Sequence, residues 1–446
     1  MPFLTRMLDP SDFGVITVFE SIYGVMTIIF SLGVADSITR YYYEEKNDFK
    51  TAAGTMYVGA FVLSIIFLLI VLFFRESLAD QFSIPVIVIF YAGILSFSDI
   101  PKTIFLQLLN AREKSKIYSI YATIASFLSL SFTLLFVYLL SENKYEGRFL
   151  GQLIPATLFF VIAQVYIFKH FDFKFKIDTN YLKYFFNYSL PLIPYRLSGI
   201  LLTYVDSVII AKIVGLTETG LYSIAYRVGM GILILHVSIS QALEPKIMLL
   251  MNNYDDNIKI INGHIDQAAK YLFYFGFLIS VFAKYILIVL VPESYYGALD
   301  LVPIIILSYC LLFIFEQFTR INRYFKKTNV NAIAMLISVG VNIVLNLFLI
   351  PKFGYKIAAV TTLISFIVML SVLWYNSRFQ LKIKAIVDLD RIILKTLLPI
   401  SLIFCFTVYI SVEIMFVDIL IKSFISLILL YFLFQKEIRN YLIKTQ

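Results

Sequence analysis

Thirteen long apolar runs punctuate the chain, near 13–33, 51–74, 84–107, 118–140, 149–168, 191–214, 220–243, 265–291, 301–319, 329–350, 354–376, 396–412 and 414–434. A helix needs roughly 20 apolar residues to cross the hydrocarbon core of a bilayer. Hydrocarbon offers unpaired backbone groups no partner, so runs of this length must close their hydrogen bonds internally, as helices. The pattern predicts an all-α, polytopic membrane protein with thirteen visible spans.

The polar loops between the runs alternate in cation content. One set carries Arg40, Lys46 and Lys50; Arg112, Lys114 and Lys116; Lys169, Lys174, Lys176 and Lys183; Lys246, Lys259 and Lys270; Arg320, Arg323, Lys326 and Lys327; Arg378, Lys382, Lys384, Arg391 and Lys395; and Lys436, Arg439 and Lys444. The alternate set holds only Arg6, Arg75, Lys144, Arg148, Lys352 and Lys356. Cation-rich loops stay on the cytoplasmic side. The carboxyl end is therefore expected in the cytoplasm, and the first residues outside.

Composition narrows the class. Sixty per cent of residues are hydrophobic, 15% are charged and the mean hydropathy is +0.86, too apolar for a soluble chain of 446 residues. Forty-three Phe and 31 Tyr suit lipid-facing surfaces and interfacial belts. The net charge of +8 is accounted for by the loop asymmetry, so nucleic-acid binding is not expected. Cys310 and Cys405 both fall inside apolar runs, which leaves no disulfide framework. No cleavable signal-peptide pattern is present, so insertion is expected to rely on the helices.

The chain repeats itself. Residues 5–14 (TRMLDPSDFG) align with 211–220 (AKIVGLTETG) at an offset of 206 residues, near half the length. Both copies end a helix with a cation, supply a hydroxyl–acid pair and open the next run with Gly. Both lie on the outer face, so the repeats are expected to be parallel, related by an axis along the membrane normal. A full run, 191–214, precedes the second copy, but only Met1–Met7 precedes the first. A truncated first helix is therefore expected, and restoring it raises the count to fourteen. The expected organisation is an amino-terminal lobe over 1–168, a cytoplasmic interfacial linker over 169–190, a second lobe over 191–376, and a loop with an accessory hairpin over 377–446.

Charges inside the runs mark candidate sites, because an ionised side chain at the bilayer centre costs about 2.5–3.5 kcal/mol on insertion scales. Asp36 and Arg40 are four apart, as are Glu316 and Arg320, the acid-first order that suits a helical pair. Asp99 and Lys102 flank Pro101. Arg196 lies early in its run. Asp206 and Arg227 stand 11 residues before and 10 after Thr217, so adjacent antiparallel helices would place both roughly 15 Å from the turn, at one depth. Lys212 and Lys422, near run ends, are expected to snorkel to the interface. His170, His236 and His264 are isolated and are not expected to form sites. Catalytic motifs, metal-ligand spacings and phosphate-cradling Gly-rich loops are absent from the sequence, and the outer loops are short. Transport is expected rather than catalysis, with no cofactor and no metal.

Three segments carry a resemblance. Residues 5–44 (TRMLDPSDFGVITVFESIYGVMTIIFSLGVADSITRYYYE), 188–228 (YSLPLIPYRLSGILLTYVDSVIIAKIVGLTETGLYSIAYRV) and 345–362 (LNLFLIPKFGYKIAAVTT) occur in order at the expected spacing. The chain resembles the O-antigen and capsule lipid-linked oligosaccharide flippases of the multidrug/oligosaccharidyl-lipid/polysaccharide exporter superfamily. The resemblance implies two pseudo-symmetric six-helix bundles around a central cavity, the carboxyl-terminal hairpin being additional. It implies passage of a polyprenyl-diphosphate-linked oligosaccharide from the inner to the outer leaflet of the bacterial cytoplasmic membrane. Cavity cations would take the diphosphate, with Arg40, Arg196, Arg227 and Arg320 as candidates. Asp36, Asp99, Asp206 and Glu316 are the candidates for ion coupling or pairing, with H+ or Na+ as the coupling ion. A monomer is expected, with the polysaccharide polymerase machinery as a candidate neighbour. The alternatives are a multidrug or cation exporter of the same superfamily and a membrane glycosyl polymerase or ligase.

Overall fold

Local capping signals set where the helices start and stop. In the computed structural model, Asp9 caps α1 (Pro10–Ser31): its carboxylate accepts from the Asp12 N–H at 2.9 Å, Asp12 reaches back to the Asp9 N–H, and Pro10 occupies the first turn, where a missing N–H costs nothing. Leu32 and Gly33 then take left-handed conformations, φ 46° and 69°, which end α1 and start α2 (Val34–Glu44) at a new angle. The structure describes residues 2–444 apart from 45–47, 175, 382–386, 411 and 413, and gives only the backbone of 409 and 436–444. Lys46, Lys382 and Lys384 thus lie outside the described residues, as do the side chains of Lys436, Arg439 and Lys444.

Among the described residues the fold is all-helical. Eleven helices among the described residues are long and apolar enough to cross a membrane, and twelve if Tyr254–Val281 and Ala283–Leu290, bent by 62°, form one broken span. A helix also forms over the run at 191–214. This helix, Ile193–Ile213, interrupts its apolar surface with Arg196, Asp206 and Lys212 and is not among those eleven. The chain is a multi-pass membrane protein, built of two compact units, Met1–Ser223 and Ile224–Gln446.

The first unit continues with α3 (Phe49–Phe73), α4 (Arg75–Phe82), α5 (Val86–Ala111), α6 (Ser115–Leu139), α7 (Tyr145–Tyr166), α8 (Thr179–Ser189), α9 (Ile193–Ile213) and the start of α10 (Leu216–Gly229). Gly147 and Gly151, four apart on α7, face the backbone of Val137 and Thr133, which lets α6 and α7 approach closely. The linker segment lies along α2 and α3. The Lys174 N–H donates to the Lys50 carbonyl at 3.0 Å, Thr55 donates to the Lys176 carbonyl, and Lys50 pairs with Asp172.

The repeat is visible in this unit. Gly14 of α1 rests on the Leu216 backbone, and Gly220 of α10 rests on the Pro10 backbone. These contacts interchange under the 206-residue offset, so each copy of the motif packs its Gly against the start of the other copy's helix. Only a residue without Cβ fits at either place.

The second unit comprises the remainder of α10, α11 (Gly231–Met251), α12 (Tyr254–Val281), α13 (Ala283–Leu290), α14 (Val302–Tyr324), α15 (Asn329–Phe353), α16 (Ile357–Tyr375), α17 (Leu398–Tyr409) and α18 (Met415–Lys444). Ser338, Asn342 and Asn346 are spaced by four on α15 and bond to Ser365, Thr362 and Thr361 of α16 at 2.8, 3.4 and 2.5 Å. Such buried polar ladders hold apolar helices in register. In the carboxyl-terminal pair, Lys422 is buried against Asp418 at 2.8 Å, and Asp418 also accepts from Tyr285 and from the Val412 N–H. The snorkelling expected of Lys422 is thus corrected, because an acid one turn away satisfies it inside the protein.

Candidate functional site

The first unit places a polar pocket where α2, α5 and α8 meet. An open cavity of about 540 Å³ is lined by Asp36, Thr39, Arg40, Gln107, Asn110 and Tyr188. Helical spacing puts Asp36 and Arg40 on one face of α2, but they do not pair with each other. Asp36 pairs with Arg196 of α9 and accepts from Gln107 at 3.4 Å. Arg40 pairs with Glu44 one turn further along α2, and its guanidinium lies 4.6 Å from the centre of the Tyr188 ring. Tyr184 also donates to Glu44, at 2.7 Å. The Tyr184 hydroxyl and the Arg40 guanidinium together hold the Glu44 carboxyl below its usual range, and Glu44 and Tyr188 hold Arg40 higher still. Arg40 and Arg196 keep 50% and 38% of their side chains exposed, so both can exchange a carboxylate for another anion.

The same helix that carries Arg196 also lines an apolar groove of about 510 Å³. One turn beyond Arg196, Ile200, Leu201, Tyr204, Val205 and Val208 of α9 face Ile22, Met26 and Phe30 of α1, Phe67 and Ile70 of α3, and Leu78 of α4. Arg196, which pairs with Asp36, and an apolar face thus adjoin along one helix.

A second cluster surrounds Asp99 of α5. Tyr23 of α1 donates to one carboxylate oxygen, and Lys102 donates to the other at 2.8 Å. A small cavity of about 120 Å³ beside them is lined by Ser129, Gln152 and Phe159 among others, and Oε1 of Gln152 is buried there without a hydrogen-bond partner. Pro101 lacks the N–H that would bind the Phe97 carbonyl, which loosens the helix at this acid.

A third cluster lies within the second unit. Glu316 of α14 is bonded by His236 and Ser240 of α11, both at 2.7 Å, and faces Arg320 at 3.7 Å. Arg320 is only 2% exposed. It donates to Gln317 at 2.6 Å and to the Ser240 carbonyl at 3.3 Å. The guanidinium of Arg320, a candidate substrate cation, is thus enclosed by protein acceptors.

Asp206 is buried in the first unit and accepts from Tyr222 at 2.6 Å, while Arg227 lies in the second unit at the end of α10. Sequence alone did not single out Tyr23, Gln107, Tyr188 or Ser240, and it set His236 aside. The charged residues were conspicuous in apolar runs, but their hydroxyl, amide and imidazole partners were not.

A family model described as "Polysaccharide biosynthesis protein" matches residues 1–251. No curated protein matches the chain in sequence. Among solved structures, the fold is similar to the lipid II flippase MurJ in an inward closed conformation, at TM-score 0.69 and 18% identity, covering 96% of this chain and 98% of that one. It is also similar to an inward-facing multidrug resistance MATE family transporter of the MOP superfamily, at TM-score 0.65 and 13% identity, covering 85% and 93%. A variant of the Vibrio cholerae MATE transporter VcmN aligns at TM-score 0.57 and 13% identity, covering 86% and 97%.

Proposed function

Because the chain belongs to the polysaccharide biosynthesis protein family, we propose that it flips a polyprenyl-diphosphate-linked oligosaccharide, an O-antigen or capsule repeat unit, from the inner to the outer leaflet of the bacterial cytoplasmic membrane by alternating access. The observation that carries this reading is that Arg196 of α9 pairs with Asp36 of the polar pocket while the next turns of α9 line an apolar groove. That combination complements an amphiphile with an anionic head and a hydrocarbon tail.

A diphosphate cannot cross about 30 Å of hydrocarbon unpaired. Arg40 and Arg196 offer planar, permanently charged donor forks that match phosphate oxygens. Without substrate, Glu44 and Asp36 occupy those forks, so binding exchanges one anion for another rather than stranding a bare cation. Arg320 is assigned to holding Glu316. Asp36, Asp99 and Glu316 each face a cation, which leaves them poorly suited to an organic cation and favours an anionic substrate over drug export. The sequence holds no nucleotide motif, so an H+ or Na+ gradient acting on Asp36, Asp99, Asp206 or Glu316 supplies the driving force.

Arg40 and Arg196 are replaced by Ala and by Lys in a strain lacking its own flippase, membrane abundance is matched, and surface polysaccharide is measured. Each charge-assisted contact is worth about 1.5–3 kcal/mol, or roughly a tenfold to hundredfold change in affinity. The Ala variants should lose export, and Lys should restore part of it. Full export by both Ala variants removes the assignment.

A further inference from the structure

We propose that Thr39, Tyr43 and Asn110, at the rim of the polar pocket, form a sugar subsite that takes the ring joined to the diphosphate. This rests on the transport reading above and names the part of the substrate that the uncharged wall of the pocket reads. The cavity of about 540 Å³ is of the size that holds a small organic ligand, roughly 300–1,000 Å³. Arg40 and the Asp36–Arg196 pair supply its charge. Thr39, Tyr43 and Asn110 line the same cavity and are neutral.

Tyr43 is 64% exposed, yet its ring is held in place. Its hydroxyl donates to the Ala111 carbonyl at 3.2 Å, and its ring meets that of Tyr42 at 5.4 Å. A tyrosine at a membrane surface ordinarily turns its polar tip to water and buries its apolar body. Here the tip is tied to the end of α5, and the ring is what stays open. A fixed aromatic surface suits the C–H face of a sugar ring. Asn110, one residue before Ala111, is exposed and offers two donors and an acceptor. The Thr39 hydroxyl donates to the Ala35 carbonyl at 2.7 Å and lies 3.2 Å from Gln107, which leaves its oxygen to accept. Sugar hydroxyls both donate and accept, so they can use all of these groups. A phosphate oxygen only accepts, and uses neither the Tyr43 ring nor the Thr39 lone pairs.

The order of these features along the chain matches the order of parts in the substrate. Ile22, Met26 and Phe30 of α1 line the apolar groove, and the chain then turns at Leu32 and Gly33. Asp36, Arg40 and Tyr43 follow at spacings of four and three, on one face of α2. Seven helical residues set Tyr43 about 10 Å beyond Asp36. Groove, cations and neutral rim thus succeed one another as hydrocarbon, diphosphate and sugar do.

Binding to the full-length protein in nanodiscs separates the subsite from the cations. The probes are polyprenyl diphosphate, bare or carrying a single glucose, galactose, N-acetylglucosamine or N-acetylgalactosamine. Y43A and N110A are compared with wild type. Each should weaken the tightest-binding sugar lipid about threefold to tenfold, the worth of a neutral contact, and leave the bare diphosphate lipid unchanged. Both substitutions are at exposed positions, and matched thermal stability confirms the fold. Unchanged binding of every sugar lipid in both variants, or equal weakening of the bare and sugar-bearing lipids, overturns the subsite. A failure of the diphosphate reading shows in a different variant, R40A, as unchanged binding of the bare lipid.

Discussion

Substituting Gly14 and Gly220 tests whether the repeat is a structural device. An added Cβ at Gly14 would lie 2.7 Å from the Leu216 carbonyl carbon, and one at Gly220 would lie 2.7 Å from that of Pro10. Carbon atoms rest at about 3.5–4.0 Å, so the two backbones would have to part by about 1 Å. The opposing atoms are backbone and cannot rotate away, which puts the overpacking cost near the top of the usual 1–3 kcal/mol. Both positions are helical, and the better helix propensity of Ala returns about 1 kcal/mol. The net expectation is a loss of about 2 kcal/mol for G14A and the same for G220A, by the symmetry of the contacts. Each substitution pushes apart the same pair of helix starts, so G14A/G220A should cost clearly less than the sum, a coupling of about 1 kcal/mol or more. Unfolding of the full-length protein by SDS titration in mixed micelles measures all three. Wild-type stability in either single variant, or strict additivity in the double variant, would refute the reasoning.

Other substitutions address the charges and the topology. R320A leaves Glu316 to His236 and Ser240 alone, and because that acid is part-exposed the loss should fall below the roughly 3–5 kcal/mol of a fully buried pair. R320A/E316Q should recover much of that, and an R320A variant as stable as wild type would return Arg320 to the substrate pathway. D418N should loosen the carboxyl-terminal hairpin, seen as faster proteolysis after Lys422 than in the wild type, and unchanged cleavage would show that the ion pair does not hold it. Reporter fusions at the carboxyl terminus and near Tyr295 should label from the cytoplasmic and external sides respectively. Labelling of both from one side would contradict the orientation drawn from the loop cations.

The helices were legible in the sequence because apolar length and loop charge are local properties. The repeat was legible too, because Gly14 and Gly220 are required by backbone contacts that no other residue permits. Ion pairing was legible only in part. Helical spacing nominated Asp36 with Arg40, but Arg40 had a second acid one turn ahead in Glu44, and Arg196 was brought to Asp36 by tertiary packing. His236 looked isolated because Glu316 is 80 residues away in sequence, on a helix that only the fold brings beside it. Arg320 occupied the end of its apolar run, where an exposed or a buried guanidinium gives the same pattern. Its enclosure by Gln317 and the Ser240 carbonyl depends on α11, which periodicity within α14 cannot show.

The central claim, that the polar pocket of Arg40 and the Asp36–Arg196 pair takes a diphosphate while the adjoining groove takes hydrocarbon, is tested most directly by lipid binding to the purified full-length protein in nanodiscs. Polyprenyl diphosphate, polyprenyl monophosphate and the free polyprenol are compared by competition. The account predicts the order diphosphate, monophosphate, alcohol, with R40A and R196A each weakening the diphosphate lipid about tenfold to a hundredfold and leaving the alcohol unchanged. Equal binding of all three lipids, or an unchanged diphosphate affinity in both variants, would contradict it.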